Sequence, residues 1–293
     1  MESLSGSTPR TSSSSGRNRE GLPNLLVSHH ILGGSLLRGL GNEGFVCTMS
    51  VISFGAGVNS VAMTIILVNN GWHGPIVFAD TGTEWPETYC YLEYFEREWL
   101  KPHGLGIIRL GAAYRALVPG RDRRALIKYC EDYRTTPMAG MRWCTQGWKT
   151  DVINHWCKKH GETEQLLAIA LEERHRQKGR SCPLIEMQVD RKQCIRVIED
   201  ESLQVPQKST CYICPFQGIS RWRKLYETHP DLYERAAKLE EASAERRHER
   251  TCLMADGQYT LRQLEIVFRD QLALFDDDLM DSLEIYRPCV CSL

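Results

Sequence analysis

VISFGAGVNSVAM, residues 51–63, decides how the rest of the chain is read. An apolar run enters a turn that holds Gly55 and Gly57, and Ser60 opens a second apolar run with helical spacing. Glycine serves where a backbone bends sharply or lets a ligand come close. A strand, a glycine turn and a helix N-terminus together make a phosphate cradle, because unpaired N–H groups and the helix dipole point at the ligand. Two phosphates suit these letters. One is the bridge of a dinucleotide, with Ser60 in the last glycine position and Asp80, about twenty residues on, as the ribose-binding acid. The other is the pyrophosphate of an ATP-splitting loop. A glycine turn that merely closes a βα unit stays open beside them.

Working outward, Thr48–Phe54 reads as a buried strand and Ser60–Asn69 as a helix ended by Asn70-Gly71. Pro75–Ala79 and Leu105–Leu110 are further short apolar strands. Between them, Trp85, Tyr89, Leu92, Phe95 and Trp99 recur at helical spacing over Glu84–Leu100. Gln146–Lys159 is a helix with Trp148, Val152, Ile153 and Trp156 inward, and Gln165–Leu171 is a fourth strand. Strands alternating with helices of this length predict an α/β fold, a doubly wound, mostly parallel sheet covered on both faces. Beyond Ser181 the pattern turns helical and cysteine-bearing, with helices over Asp190–Asp200, Arg221–Thr228 and Thr260–Phe275. The chain is thus expected to divide into a nucleotide-binding α/β domain, 49–172, and a helical cysteine-bearing region, 173–293.

Composition bounds the function classes. The net charge of −1 gives no global pull toward nucleic acid or membrane, so either contact needs a local patch. No apolar run approaches the ~20 residues of a transmembrane helix. The chain has 12 cysteines, and its N-terminus, MESLSGSTPRTSSSSGRNREG, is polar where a secretory signal needs an apolar core. The thiols are therefore expected to be reduced, cytoplasmic and available for metal or redox chemistry. Residues 1–48 begin with a Ser/Arg/Gly-rich tract that predicts disorder, followed by the apolar patch LLVSHHILGGSLLRGLG. Two readings stay open: Met49 is the true start and an upstream extension precedes it, or the segment is an organellar transit peptide. Glu2, Glu20 and Glu43 oppose the second.

Four further motifs follow the opening loop in order: FADTGTE (78–84), MRWCTQGWK (141–149), CPLIE (182–186) and STCYICPF (209–216). Together they resemble the phosphoadenosine-phosphosulfate (PAPS) reductase family, within the adenine-nucleotide α-hydrolase (pyrophosphate-loop) superfamily. The resemblance spans roughly Ser50 to Phe275 and is closest to the phage and bacterial branch that opens with S-F-G-G-G-V-D-S. AIALEERHR (168–176) is similar to that branch's Gly-Ile-Ser-x-Asp-Glu-x-x-Arg element, with the glycine and aspartate replaced. The resemblance implies a sheet of five or more strands that binds an adenine nucleotide, ATP or PAPS. Ser53, Gly55, Ala56, Gly57, Asn59 and Ser60 would hold its phosphates, and Asp80 and Thr81 would line the adenosine end. Arg142 and Lys149, flanking a helix start at Thr145, would supply cations for a phosphate chain or sulfate. The family's loop carries a glycine and an aspartate where this chain has Ala56 and Asn59. Asparagine keeps the shape of aspartate without its charge, which weakens any hold on Mg²⁺.

Cys211-x-x-Cys214 lies in a turn with Pro215 directly after, a shape in which two thiolates converge on one ion; a redox pair fits the same spacing. Cys144 in RWCT and Cys194 in DRKQC extend these to a quartet, Cys144, Cys194, Cys211 and Cys214, expected to pin the helical half onto the nucleotide mouth. Four thiolates suit [4Fe–4S] and tetrahedral zinc alike; the kinship with sulfur-handling enzymes of the superfamily favours the cluster. Cys90, Cys130, Cys157 and Cys252 read as buried small hydrophobes. The C-terminal CVCSL has Val290 where a prenylation box needs cysteine. It also lacks the tail around the family's nucleophilic cysteine, so Cys289 and Cys291 read as incidental.

Two classes of function follow. The first is an enzyme acting on an adenine nucleotide in sulfur transfer or nucleotidyl chemistry, with Lys149, Arg142 and Asn59 at the reacting phosphates; a sulfonucleotide reductase is its alternative form. Its partners would be a nucleic acid, met by the charged segment Arg121–Lys128, or a sulfur or electron donor protein. The second is a non-catalytic nucleotide- or cluster-binding partner in a modification or defence system, docking through a charged helix such as LYERAAKLEEASAERRHER. A dinucleotide oxidoreductase is the third reading.

Overall fold

The computed structural model describes residues 50–161, 164–248, 250–254 and 257–269. The N-terminal extension with Met49, the helix expected beyond Arg269, and Cys289 and Cys291 lie outside these residues. Four short runs of buried, mostly β-branched and aliphatic residues form the strands β1 (Ser50–Ser53), β2 (Ile76–Ala79), β3 (Ile107–Leu110) and β4 (Glu164–Leu167). All pair in parallel in the order β3-β2-β1-β4. Ile52 lies opposite Ile76 on one side and Leu166 on the other, and Ser53 opposite Val77 and Leu167. β2, inside the sheet, is an unbroken buried apolar run because a parallel sheet is covered on both faces. β3, at an edge, exposes Ile108 and Arg109, and Arg109 pairs with Glu96 at 3.2 Å.

The resemblance implied five or more strands; the described residues contain four. After Leu167 the buried segment Ala168–Ala170 leads into a 3₁₀ turn, Leu171–Arg176. The fourth strand therefore stops short of the expected Leu171.

The helices are α1 (Val58–Asn69), α2 (Pro86–Phe95), α3 (Ala112–Arg115), α4 (Leu126–Asp132), α5 (Trp143–Thr145) and α6 (Asp151–His160). They continue with α7 (Pro183–Glu186), α8 (Arg191–Asp200), α9 (Ile219–Thr228), α10 (Pro230–Arg247) and α11 (Leu261–Arg269). π-helical turns extend α2 over Glu96–Leu100 and join α5 to α6 over Gln146–Thr150. α1 is buried continuously from Ser60 to Val68, and α8 packs against it. α8 begins at a capping box in which Asp190 Oδ1 accepts the Gln193 N–H at 2.8 Å and Gln193 Oε1 accepts the Asp190 N–H at 2.8 Å.

Val51, Val77, Ala79 and Leu110 of the sheet form one core with Val152, Ile153 and Trp156 of α6. A second core unites Trp85, Leu126 and Trp148 with the Cys211–Cys214 turn and with Trp222, Tyr233 and Leu264 of α9, α10 and α11. The helical segment is thus built around side chains that the α/β segment contributes. Among the described residues no helix is long and apolar enough to cross a membrane.

A lone carboxylate ties the second core together. Glu240, 2% exposed, accepts the Leu253 N–H at 2.6 Å and the Leu261 N–H at 2.7 Å. Burial pushes its carboxyl above the usual range, more than the two backbone donors pull it down. A carboxyl raised on folding favours the protonated chain, so its contribution to stability falls as pH climbs through the folded value. Glu240→Ala is expected to cost about 2–4 kcal/mol in urea unfolding at pH 7, as two buried N–H groups lose their acceptor, and to flatten that pH slope. An exposed control, Glu199→Ala, should leave both unchanged.

Candidate functional site

The chain runs outward from β1 through β2 to β3 and then returns past β1 to β4. The carboxyl ends of β1 and β4 therefore flank a topological switch point, where ligands of open α/β sheets bind. After Ser53 the turn Phe54–Gly57 leads into α1. Ala56 takes a left-handed conformation there, φ 56°, which glycine adopts freely and alanine does not. Gly57 is the helix N-cap, and a Cβ on it would stand 2.9 Å from Ser209 Oγ. The glycine is thus required by the close approach of the segment that carries the Cys211–Cys214 turn.

Ser60 folds back on this loop. Its hydroxyl accepts the Gly57 N–H at 3.1 Å and donates to the Gly57 carbonyl at 2.9 Å. The helix geometry leaves the N–H groups of Val58, Asn59 and Ser60 without intrahelical acceptors, facing the crevice end of α1. Asn59 Oδ1 accepts from Arg191 Nη1 at 3.5 Å, so α8 delivers a guanidinium to the loop.

More positive charge gathers at the carboxyl end of β4. Arg180 Nη2 donates to the Arg176 carbonyl at 2.7 Å, and Arg176 Nη1 reaches Glu173 at 2.7 Å. Burial lowers the Arg180 pKa first, and Arg176 and Arg142 push the same way, which places Arg142 within electrostatic reach of the pair. Arg142 caps α5 in a left-handed conformation, φ 47°. Of these arginines, only Arg142 belonged to the expected site. Arg176 lay within AIALEERHR, and its helical offset from Glu173 was the available signal.

The loop after β2 meets the cysteine turn. The Tyr212 N–H donates to the Thr83 carbonyl at 2.8 Å and the Trp85 N–H to the Thr210 carbonyl at 3.2 Å, so residues 83–85 and 210–212 are zipped antiparallel. Asp80 serves the loop itself, accepting the Gly82 N–H at 2.8 Å and the Tyr89 hydroxyl at 2.7 Å. Thr81 Oγ1 lies 2.8 Å from Thr83 Oγ1 and 3.5 Å from Cys211 Sγ. Thr81 therefore lines a small cavity of ≈ 20 Å³ together with Cys144, Cys211, Cys214, Thr145 and Lys149. That is room for one water-sized guest.

Lys149, set on the π-helical turn, reaches Glu84 Oε1 at 2.9 Å, and Cys211 Sγ donates to the same oxygen at 3.6 Å. This pair is dry: the side chains are 16% and 2% exposed. Glu84 was the site residue the spacing did not single out, although it closes the FADTGTE motif. Burial raises the Cys144 thiol, partly offset by Thr145 and by the Lys149 charge.

Of the expected quartet, Cys144, Cys211 and Cys214 line this cavity. Cys194 does not line this cavity. It lies on α8 one turn from Ile198, in the apolar stripe of that helix, and burial raises its pKa to about 12 beside Glu172 and Asp190. Among the described residues no three His, Cys, Asp or Glu side chains stand close enough to hold a metal ion as they are placed. The donor chemistry of Cys144, Cys211 and Cys214 still suits a thiophilic metal in three of its positions.

Two outcomes test this geometry. Ala56→Gly relieves the left-handed alanine and should stabilise the chain by about 0.5–1 kcal/mol in thermal unfolding. Lys149→Ala strands the Glu84 carboxylate and should cost about 3–5 kcal/mol in urea unfolding, while Lys149→Ala with Glu84→Gln recovers much of the loss. Comparison of the chain with family models, curated proteins and solved structures finds no match.

Proposed function

We propose that the chain is a PAPS reductase-like, pyrophosphate-loop enzyme that binds an adenine nucleotide and acts in sulfur transfer. The observation that carries this reading is the gathering of Cys144, Cys211, Cys214 and Lys149 around one cavity, where the segment of Cys211 and Cys214 also packs against the β1–α1 loop through Ser209 and Gly57.

The phosphates lie over the N–H groups that open α1, with Arg191 at Asn59 and the Arg142, Arg176 and Arg180 group supplying charge. Guanidinium groups can stabilise charge that builds on an α-phosphate as a leaving group departs, and Asn59 contributes hydrogen bonding without charge. The Lys149–Glu84 pair keeps a fixed dipole beside the thiols in a dry setting, where it acts strongly on whichever sulfur ionises. The water-sized room leaves no place for an iron–sulfur cluster as the side chains stand; a single thiophilic ion would draw on Cys144, Cys211 and Cys214 and would supply a site for exogenous sulfur.

A second reading, sulfonucleotide reduction, draws on the turn in which the Cys214 N–H donates to the Cys211 carbonyl at 3.0 Å. Such a turn lets two thiols give up two electrons and two protons and close as a disulfide, while the sulfonucleotide releases sulfite and its nucleotide phosphate.

The test is anaerobic purification followed by two measurements on wild type and on Cys211→Ala/Cys214→Ala. Iron, zinc and acid-labile sulfide are assayed, and ATP, PAPS and NADH binding is measured by calorimetry. Saturable binding of ATP or PAPS but not NADH, with metal or thiol-dependent sulfite release lost in the variant, supports the proposal. Nucleotide binding with neither metal nor sulfur chemistry would favour the non-catalytic partner, and preference for NADH would sink the assignment.

A further inference from the structure

Beside the thiol cavity lies a second, larger one of ≈ 280 Å³, bounded by residues 136–140 and by the segment that follows α10. Pro137 and Pro215 belong to the walls of both, so two proline rings stand between the larger cavity and Cys144, Cys211 and Cys214. Its size, roughly nine waters' worth, suits a small molecule and excludes a folded partner.

The chemistry of the walls narrows the guest. Among the described residues, the lining carries two guanidinium groups, Arg247 and Arg250, and no carboxylate. Arg250 makes its hydrogen bonds there through Nη2 alone, to the Gln258 carbonyl at 2.6 Å and to Gln263 Oε1 at 3.3 Å. Arg247 Nη2 lies 3.2 Å from Met138 Sδ. The rest of the wall is soft and polarizable: Met138, Met254, Leu253 and the Cys252 thiol. Two cations and sulfur-rich walls describe a ligand with an anionic end and a thiol or thioether body.

We propose that this groove binds a small thiol bearing a carboxylate, beside the cavity that Cys144, Cys211 and Cys214 line. The inference rests on the sulfur-transfer reading above. Its carboxylate pairs with Arg247 and Arg250.

Equilibrium dialysis of the full chain, purified anaerobically, tests it with L-cysteine and glutathione as probes. Cysteamine serves as the thiol without a carboxylate and inorganic phosphate as the competing anion, and ATP binding is measured in parallel. Saturable binding of L-cysteine or glutathione is expected, with cysteamine at least tenfold weaker. Arg247→Ala and Arg250→Ala should each weaken it tenfold or more, Arg250→Lys should lose less, and ATP affinity should hold in all three. That retained ATP affinity shows that the variants are folded. ATP binding with neither thiol bound overturns the groove assignment alone. Thiol binding that ignores both arginine substitutions, or that phosphate displaces as readily as free thiol does, also overturns it. Wild type that binds neither ATP nor thiol overturns the reading on which the proposal rests.

Discussion

Everything functional in this molecule hangs on the antiparallel zip between residues 83–85 and 210–212. Main-chain hydrogen bonds between segments so far apart in sequence exact a large loop-closure entropy. They hold because Trp85 and the Cys211–Cys214 turn are buried in the same apolar core as α9, α10 and α11. The zip fixes Thr81 and Glu84, which end the β2 loop, against Cys211. It also presses Ser209 onto Gly57, so that the β1–α1 loop and the thiols share one seam. Without it, the carboxyl edge of the sheet and the cysteines would be separate features.

Burial then sets the chemistry of that seam. Glu84 and Lys149 are an ion pair taken out of water, which is stable only because each partner compensates the other. The π-helical turn over Gln146–Thr150 makes this possible: it interrupts the register between α5 and α6, and Lys149 and Trp148 leave the helix in directions a regular α-helix would not give. Trp148 in turn carries the Arg115 guanidinium at 3.7 Å from its ring centre and donates to the Arg124 carbonyl at 3.0 Å. The lysine's position is therefore held by packing on both sides.

The four strands and their order of appearance were legible because parallel strands buried on both faces must be short apolar runs, and each run here ends at a turn signal such as Asp80-Thr81-Gly82. The glycine loop was legible for the same local reason. The cysteine set was not. Cys194 and Cys144 are equally plausible ligands as letters, and only the packing of α8 on α1 shows that Cys194 serves the apolar stripe with Ile198. Glu84 escaped notice because an acidic residue after a strand reads as solvated unless a cation from sixty-five positions away is known to meet it. The arginines at the switch point share that obscurity: Arg176, Arg180 and Arg191 come from two different segments and converge only through topology.

That convergence gives the substitutions in the loop a physical sense. An aspartate at position 59 would add a negative charge to a crevice that already presents Arg191 at 3.5 Å, and its use would be to hold a metal ion between itself and the phosphates. With asparagine, the loop keeps the hydrogen bond to Arg191 and gives up the metal's electrostatic reason to be there. Ala56 costs backbone strain in the same turn, yet the N–H groups that face the crevice stay where the helix puts them. The charge beside those N–H groups thus comes from a guanidinium of a surrounding segment, Arg191, and not from an acid of the loop.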